Sequence, residues 1–131
     1  MRVLVIDDSA IVRARLVSMI REVHGVVAVD EARDPREALD RAQASLPNIV
    51  VLDIHMPGGS GMAILPRLKA LASTPIVAVL TNDSDDAHRR ECLLIGADFF
   101  FDKATEFERV LEIIAEPASV RPMRPQSTRG S

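Results

Sequence analysis

The chain has 131 residues, 47% of them hydrophobic, and 16 basic against 19 acidic side chains give a formal charge of −3. That is one ordinary domain with enough apolar content for a core, which excludes wholesale disorder, and the acid excess excludes a general nucleic-acid binder. The single cysteine, Cys92, excludes a disulfide framework and a cysteine-based zinc site, the three histidines (His24, His55, His88) are too scattered for another metal site, and no apolar run reaches the ~20 residues of a membrane span.

The opening MRVLVIDD begins a strand at Val3–Ile6 and then places two acids where a secretion signal would stay apolar, so a cytoplasmic protein is expected. Ser9 precedes Ile11, Val12, Leu16 and Ile20 on one helical face. A second strand is read at Val26–Val29, with Asp30 and Glu31 after it. Asp34-Pro35-Arg36-Glu37 offers an N-cap, a proline at the first helical position and an acid at the third. IVVL at Ile49–Leu52 and IVAVL at Ile76–Leu80 are continuously apolar, as strands covered by helices on both faces are. Residues 60–71 and 84–95 fill the third and fourth helical slots. A fifth strand is read at Ala97–Phe101, and Thr105-Glu106-Phe107-Glu108 reads as a capping box for a last helix.

Five strand–helix repeats define an α/β class: a doubly wound, five-stranded parallel sheet. The folded unit is expected over 1–116. Residues 117–131, rich in Pro, Ser and Arg with no hydrophobic period, are expected to be a disordered tail. Without that tail the unit holds 13 basic and 19 acidic residues.

In such a sheet the strands' C-terminal ends share one edge, outside which ligands bind. Asp7 and Asp8 follow the first strand, Asp53 the third, Thr81 and Asn82 the fourth, and Lys103 the fifth. Taken singly, each has an ordinary reading: a loop and cap, a turn former, a strand end, a surface lysine. Together they form a chemical set. Clustered carboxylates need a cation, and an all-oxygen set suits a hard ion such as Mg²⁺ serving a phosphate. An aspartate beside such an ion can act as a phosphoryl nucleophile. Only two lysines, Lys69 and Lys103, stand against fourteen arginines, so a lysine after the fifth strand points to a need for a compact ammonium.

VLVIDDS (3–9), IVVLDIHMPGGSG (49–61), AVLTND (78–83) and GADFFFDKA (96–104) together resemble the receiver domain of two-component response regulators, best known from the stand-alone chemotaxis regulator. The resemblance spans 1–116 and implies a flavodoxin-like (βα)5 fold with strand order 2-1-3-4-5. It implies that Asp53 is the phosphoacceptor and that Asp8 binds Mg²⁺ directly (Mn²⁺ substituting), with Asp7 acting through water. His55 would lend its backbone carbonyl to the metal. Thr81 would be the switch hydroxyl, Lys103 the phosphoryl-binding lysine and Phe100 the aromatic switch. Met56-Pro57 and Gly61 match the loop after the third strand. His55 and Asp83 stand where the family tunes phosphoryl lifetime, although a solvent-facing bystander is an equal reading for His55. The family's usual proline after the lysine is replaced by Ala104, so a trans bond and a reshaped loop are expected. Phe99 and Phe101 should point opposite to Phe100, into the core, and Cys92 should be a core residue.

The resulting expectation is a phosphorylation-dependent switch rather than an enzyme, stand-alone and without an output domain, monomeric or dimerising on phosphorylation. A sensor histidine kinase or histidine phosphotransfer protein would phosphorylate it, and the face of the fourth helix, fifth strand and fifth helix would bind a downstream protein. Direct nucleic-acid or membrane binding is not expected. Three alternatives stay open: a phosphate-independent interaction module, the receiver fragment of a longer transcription factor, and an aspartate-nucleophile phosphohydrolase. Such a hydrolase carries an acid two residues after its nucleophile, where this chain has His55.

Overall fold

A computed structural model describes residues 1–56, 59–82 and 84–117. In chain order the elements are β1 Arg2–Ile6, α1 Ala10–Arg21, β2 Ala28–Ala32, α2 Pro35–Ser45, β3 Ile49–Leu52, β4 His55–Met56, β5 Gly59–Ser60, α3 Gly61–Lys69, β6 Ile76–Thr81, α4 Asp86–Leu94, β7 Phe99–Asp102 and α5 Arg109–Ala115. The main sheet has five parallel strands in the order β2-β1-β3-β6-β7, which is the expected 2-1-3-4-5 arrangement once the short β4-β5 hairpin is set aside. That hairpin pairs His55 with Ser60 antiparallel. Two-residue strands carry too little hydrophobic pattern to be read from sequence.

Period-two alternation along the strands divides the interior into two layers. Leu4, Ile6, Val50, Leu52, Val77, Val79 and Phe100 face α2, α3 and α4, packing on Ala38, Ala42, Ile64, Leu65, Leu68, Cys92 and Leu93. Val3, Val5, Ile49, Val51, Ala78, Leu80, Phe99 and Phe101 face α1 and α5, packing on Leu16, Val17, Ile20, Val110, Ile113 and Ile114. Phe99 and Phe101 therefore do point opposite to Phe100, and their rings stack with centroids 5.9 Å apart. Cys92 lies in the core, where burial pushes its thiol up to about 11, so it stays protonated at neutral pH.

β1, α3, β6 and α4 differ from the sequence reading by one or two residues at an end, and three elements depart from it more informatively. β2 runs two to three residues later than Val26–Val29, so Asp30 and Glu31 lie within the strand rather than after it. β2 is an edge strand paired only with β1, and an edge tolerates polar side chains, whereas Val27 is exposed ahead of it. β7 begins at Phe99 because Asp98 serves another purpose, described below. α5 begins at Arg109 with no side-chain cap, and the Thr105 hydroxyl donates to Asp102 at 2.7 Å instead of capping a helix. The other starts follow the sequence. Ser9 Oγ accepts from Val12 N–H at 3.2 Å. Asp34 accepts from Glu37 N–H at 2.8 Å while Glu37 accepts from Arg33 N–H at 2.9 Å. The expected tail of residues 117–131 lies outside the described residues except for Pro117, as do Pro57 and Asp83.

One of the two lysines is a structural strut. Lys69 Nζ on α3 donates to Asp98 at 2.6 Å and to the Pro75 carbonyl at 2.7 Å, and Asp98 also accepts from Val77 N–H at 2.9 Å. Asp98 is 3% exposed. Its carboxylate thus joins α3, β6 and the entry to β7. Removing one partner of a buried ion pair leaves the other charge and an amide unsatisfied. Asp98→Ala is therefore expected to destabilise the fold by about 3 kcal/mol in urea unfolding, whereas a surface acid such as Glu22 truncated to Ala should cost less than about 0.5 kcal/mol.

Candidate functional site

Parallel strands β1, β3, β6 and β7 end along one edge, and that edge collects the polar residues. β1 runs directly into Asp7 and β3 into Asp53; their backbones are tied to the sheet by Asp7 N–H to the Ala32 carbonyl at 3.0 Å and Asp53 N–H to the Ile6 carbonyl at 2.9 Å. β7 runs into Lys103, whose N–H donates to the Thr81 carbonyl at the end of β6 at 2.9 Å. Three strand ends are thus laced by backbone bonds one residue beyond the apolar ladder. The apolar strands give the positions, and the polar residues sit where the strands stop.

The centre of the site is an ammonium between two acids. Lys103 Nζ donates to Asp7 Oδ2 at 2.7 Å and to Asp53 Oδ2 at 2.9 Å. The remaining oxygens of these acids are also held: Asp7 Oδ1 accepts from Ser9 N–H at 2.9 Å and Asp53 Oδ1 from His55 N–H at 3.0 Å. Asp7 and Asp53 are buried, whereas Asp8 is exposed, and one oxygen of each of the three lies within 4.8 Å of the others. Gly61, at the start of α3, seals the floor. A Cβ there would stand 2.5 Å from the Asp53 carbonyl oxygen and 2.8 Å from Ile54 Cα, so only glycine lets α3 come this close to the loop that carries Asp53.

The electrostatics follow from this packing. Burial holds the Asp7 carboxyl above its usual range, although bonds from Lys103 and the Ser9 amide work against that rise. For Lys103, burial acts to lower the pKa, but the bonds and charges of two acids outweigh it and the ammonium lies above the ordinary lysine value. The two directions agree physically: the lysine faces two carboxylates, while Asp7 faces one lysine and a second carboxylate. Three acids against one ammonium leave uncompensated negative charge, and oxygen-only donors at this spacing fit a hard divalent cation such as Mg²⁺. Asp7, Asp8 and Asp53 are the residues that would hold it.

Thr81, at the end of β6, is fully buried. It lies one pleat beyond Val79, the register partner of Phe100, so Thr81 and Phe100 share the α4 side of the sheet. Phe100 is already in the core, 1% exposed. Arg89 on α4 places its guanidinium 5.9 Å from that ring's centroid and donates to the Phe100 carbonyl at 3.3 Å. A ring with no hydroxyl has no polar end to hold at the surface, which accounts for its burial. His55 is exposed and contributes its amide to Asp53. Among the described residues no peptide bond is cis, so the Lys103–Ala104 bond is trans as expected.

Sequence reasoning missed Arg13, which donates to the Asp7 carbonyl at 2.7 Å and pairs with Glu31 at 3.2 Å, fixing β2 and α1 around the first acid. Its signal was weak, since an arginine one helical turn after a cap looks like any surface arginine.

A family model described as the response regulator receiver domain matches residues 3–115, and the chain belongs to that family. It is 33% identical over 120 residues to a protein-glutamate methylesterase/protein-glutamine glutaminase of Chromobacterium violaceum, covering 90% of this chain and 30% of the relative. The chain thus spans about a third of the length of the curated relatives it matches. Among solved structures, the response regulator domain of Thermotoga maritima CheB aligns with a TM-score of 0.79 at 29% identity, covering 93% of this chain and 98% of that one. A response regulator of Burkholderia pseudomallei, solved with a phosphorylated aspartic acid, a calcium ion and citrate, aligns at 0.77 and 27% identity over 89% of this chain and 72% of that one. Receiver domains in general accept phosphoryl groups from histidine kinases and bind Mg²⁺ at an acidic pocket, and this chain carries such an acidic cluster. No described helix is long and apolar enough to cross a membrane.

The raised Asp7 carboxyl has a consequence for stability. A carboxyl whose folded pKa exceeds its unfolded value of 3.8 weakens the fold as pH rises from the unfolded to the folded pKa, and the penalty then stays constant above it. In the presence of chelator, Asp7→Asn is therefore expected to melt higher than wild type at neutral pH, with the advantage vanishing below pH 3.8. Adding Mg²⁺ should raise the melting temperature of wild type more than that of Asp7→Asn, which keeps only two of the three clustered carboxylates.

Proposed function

We propose that this domain is a phosphorylation-dependent switch in which Asp53 accepts a phosphoryl group from a phosphohistidine on a sensor kinase or histidine phosphotransfer protein. The observation that carries this reading is the bridge from Lys103 Nζ to Asp53 and Asp7, set among three convergent carboxylates. An Asp53 oxygen forms a bond to phosphorus as the phosphorus–nitrogen bond to the histidine breaks, and the leaving imidazole takes up a proton. Asp8 and Asp53, with Asp7 behind, would hold Mg²⁺, and that ion would supply charge neutralisation during the transfer. The protein's own contribution is placement. His55 N–H and Lys103 hold the carboxylate of Asp53 at fixed points before any partner arrives. The occurrence of a phosphorylated aspartic acid in the related Burkholderia structure supports the same chemistry here.

The acyl phosphate adds roughly −1.5 to −2 charges at the edge. Lys103 moves its ammonium from the carboxylates to the phosphoryl oxygens, and Thr81 turns its hydroxyl toward them. Space then opens behind Thr81 on the α4 side, where Phe100 and Arg89 repack and the α4–β7–α5 face changes for a downstream protein. A bias of ~1–3 kcal/mol is ordinary for such coupling. The reading assigns no turnover of an external substrate, and its products are a changed surface and, later, free phosphate.

A second reading has its own support in the curated relatives, which are about three times longer than this chain and match it over 30% of their length. In that reading the same switch acts on an attached output unit rather than on a separate partner.

Wild type incubated with Mg²⁺ and acetyl phosphate should show one phosphate adduct by intact mass, and Asp53→Asn should show none. Lys103→Ala should still take up phosphate, but the amide shifts across the α4–β7–α5 face should fall to a small fraction of those in phosphorylated wild type. A normal set of shifts in phosphorylated Lys103→Ala would overturn the lysine's role as the link to output.

A further inference from the structure

The turn that carries Lys103 contains no proline, and a different device holds its shape. Asp102, the last residue of β7, gathers bonds from three sides. Its Oδ2 accepts from Thr105 N–H at 3.0 Å and from Thr105 Oγ1 at 2.7 Å, which winds residues 102–105 into a capped turn around Lys103. Its own N–H donates to Glu106 Oε1 at 3.0 Å, and its carbonyl accepts from Glu106 N–H at 2.8 Å. The remaining oxygen, Oδ1, reaches out of the turn and accepts from Ser84 Oγ at 2.7 Å.

That last bond matters because of where Ser84 stands. It is three residues after Thr81, in the loop between β6 and α4. Thr81 and Asp102 are register partners at the ends of β6 and β7, and Lys103 N–H bonds the Thr81 carbonyl. The two strand ends are therefore joined twice, once through backbone and once through the Ser84–Asp102 bond. The residues inside this closure are the two that the phosphoryl group must attract. The bonds from Thr105 and Ser84 also hold the Asp102 carboxyl below the usual range, so it stays a charged acceptor.

The geometry points to Asp102 as a positioning residue for phosphoryl transfer: by accepting from both Ser84 and Thr105 it latches the Thr81 loop to the Lys103 turn, so that hydroxyl and ammonium reach the phosphoryl group as one unit. The inference rests on the phosphoacceptor reading of Asp53 and deepens it. Among the described residues Asp102 bonds to Ser84, Thr105 and Glu106 and to none of the three clustered acids, so it acts through its neighbours.

The test measures phosphorylation by acetyl phosphate, followed by intact mass over a range of donor concentrations, for wild type, Ser84→Ala, Asp102→Ala and the double variant. Ser84→Ala should lower the maximal rate about three- to ten-fold while leaving the half-saturating donor concentration and the calorimetric Mg²⁺ affinity unchanged. In the Asp102→Ala background, Ser84→Ala should have no further effect, because the latch is already gone. Ser84→Thr, which keeps the hydroxyl, should restore the rate. A bond with a merely structural role would lower melting temperature and leave these rates alone, and that result overturns the inference, as does simple additivity of the two variants. A second readout needs no phosphate: the Lys103 amide should exchange its hydrogen faster in Ser84→Ala than in wild type, and unchanged exchange would overturn the latch even if Asp102→Ala does not fold. Failure of wild type to take up phosphate would instead contradict the phosphoacceptor reading itself.

Discussion

One ammonium group placed between two buried carboxylates organises this protein's working edge. Without Lys103, Asp7 and Asp53 would be like charges held out of water at the ends of adjacent strands, a costly arrangement. With it, each of the two acids has a cationic partner at hydrogen-bond distance. In the proposed switch, a phosphoryl group on Asp53 would draw this ammonium away from the acids it now pairs with, so its position would report the chemical state of Asp53. The backbone bonds from Asp7 to Ala32, Asp53 to Ile6 and Lys103 to Thr81 fix the main chain at that edge, so a response to charge falls to the side chains.

Much of this was legible in the residues because apolar strands in a parallel sheet end at one edge, so the residue after each run names itself. Asp7, Asp53, Thr81 and Lys103 were all found that way, and the sheet order followed from the motifs. What the sequence concealed lies in two kinds of place. Edge strand β2 lacks the two-sided burial that makes a strand readable, so its start was taken too early, at Val26, and Asp30 and Glu31 were set outside it. Side-chain bonds between distant segments leave no local period. Asp98 with Lys69, Arg13 with Asp7, and Asp102 with Ser84 are 29, 6 and 18 residues apart, and nothing in the spacing announces them. Thr105-Glu106-Phe107-Glu108 shows the opposite error. Its pattern fits a capping box, but the stronger acceptor at Asp102 takes the threonine hydroxyl and delays the helix to Arg109.

The scarcity of lysine turned out to be informative for both lysines. Each reaches a buried aspartate at the rim of the sheet, Lys69 to hold α3 on β6 and Lys103 to hold the acid cluster. A single-point, flexible ammonium can enter such narrow sites where a planar guanidinium would need more room and more acceptors. Three arginines sit over aromatic rings, Arg15 over Phe107, Arg89 over Phe100 and Arg109 over Phe101, while Arg13 bonds the Asp7 carbonyl and Glu31. Both lysines thus neutralise buried acids, and Arg89 and Arg109 cover apolar rings along the face that the proposed switch would reshape.

The most direct test of this account is ¹⁹F NMR of beryllofluoride, a phosphoryl mimic, added to the protein with Mg²⁺. The site described here should give bound fluoride resonances in slow exchange with free ligand, and both chelation of Mg²⁺ and Asp53→Asn should abolish them. A folded wild-type protein that shows only free ligand at saturating Mg²⁺ would contradict the claim that Asp53, Lys103 and the acid cluster form a phosphoryl-accepting site.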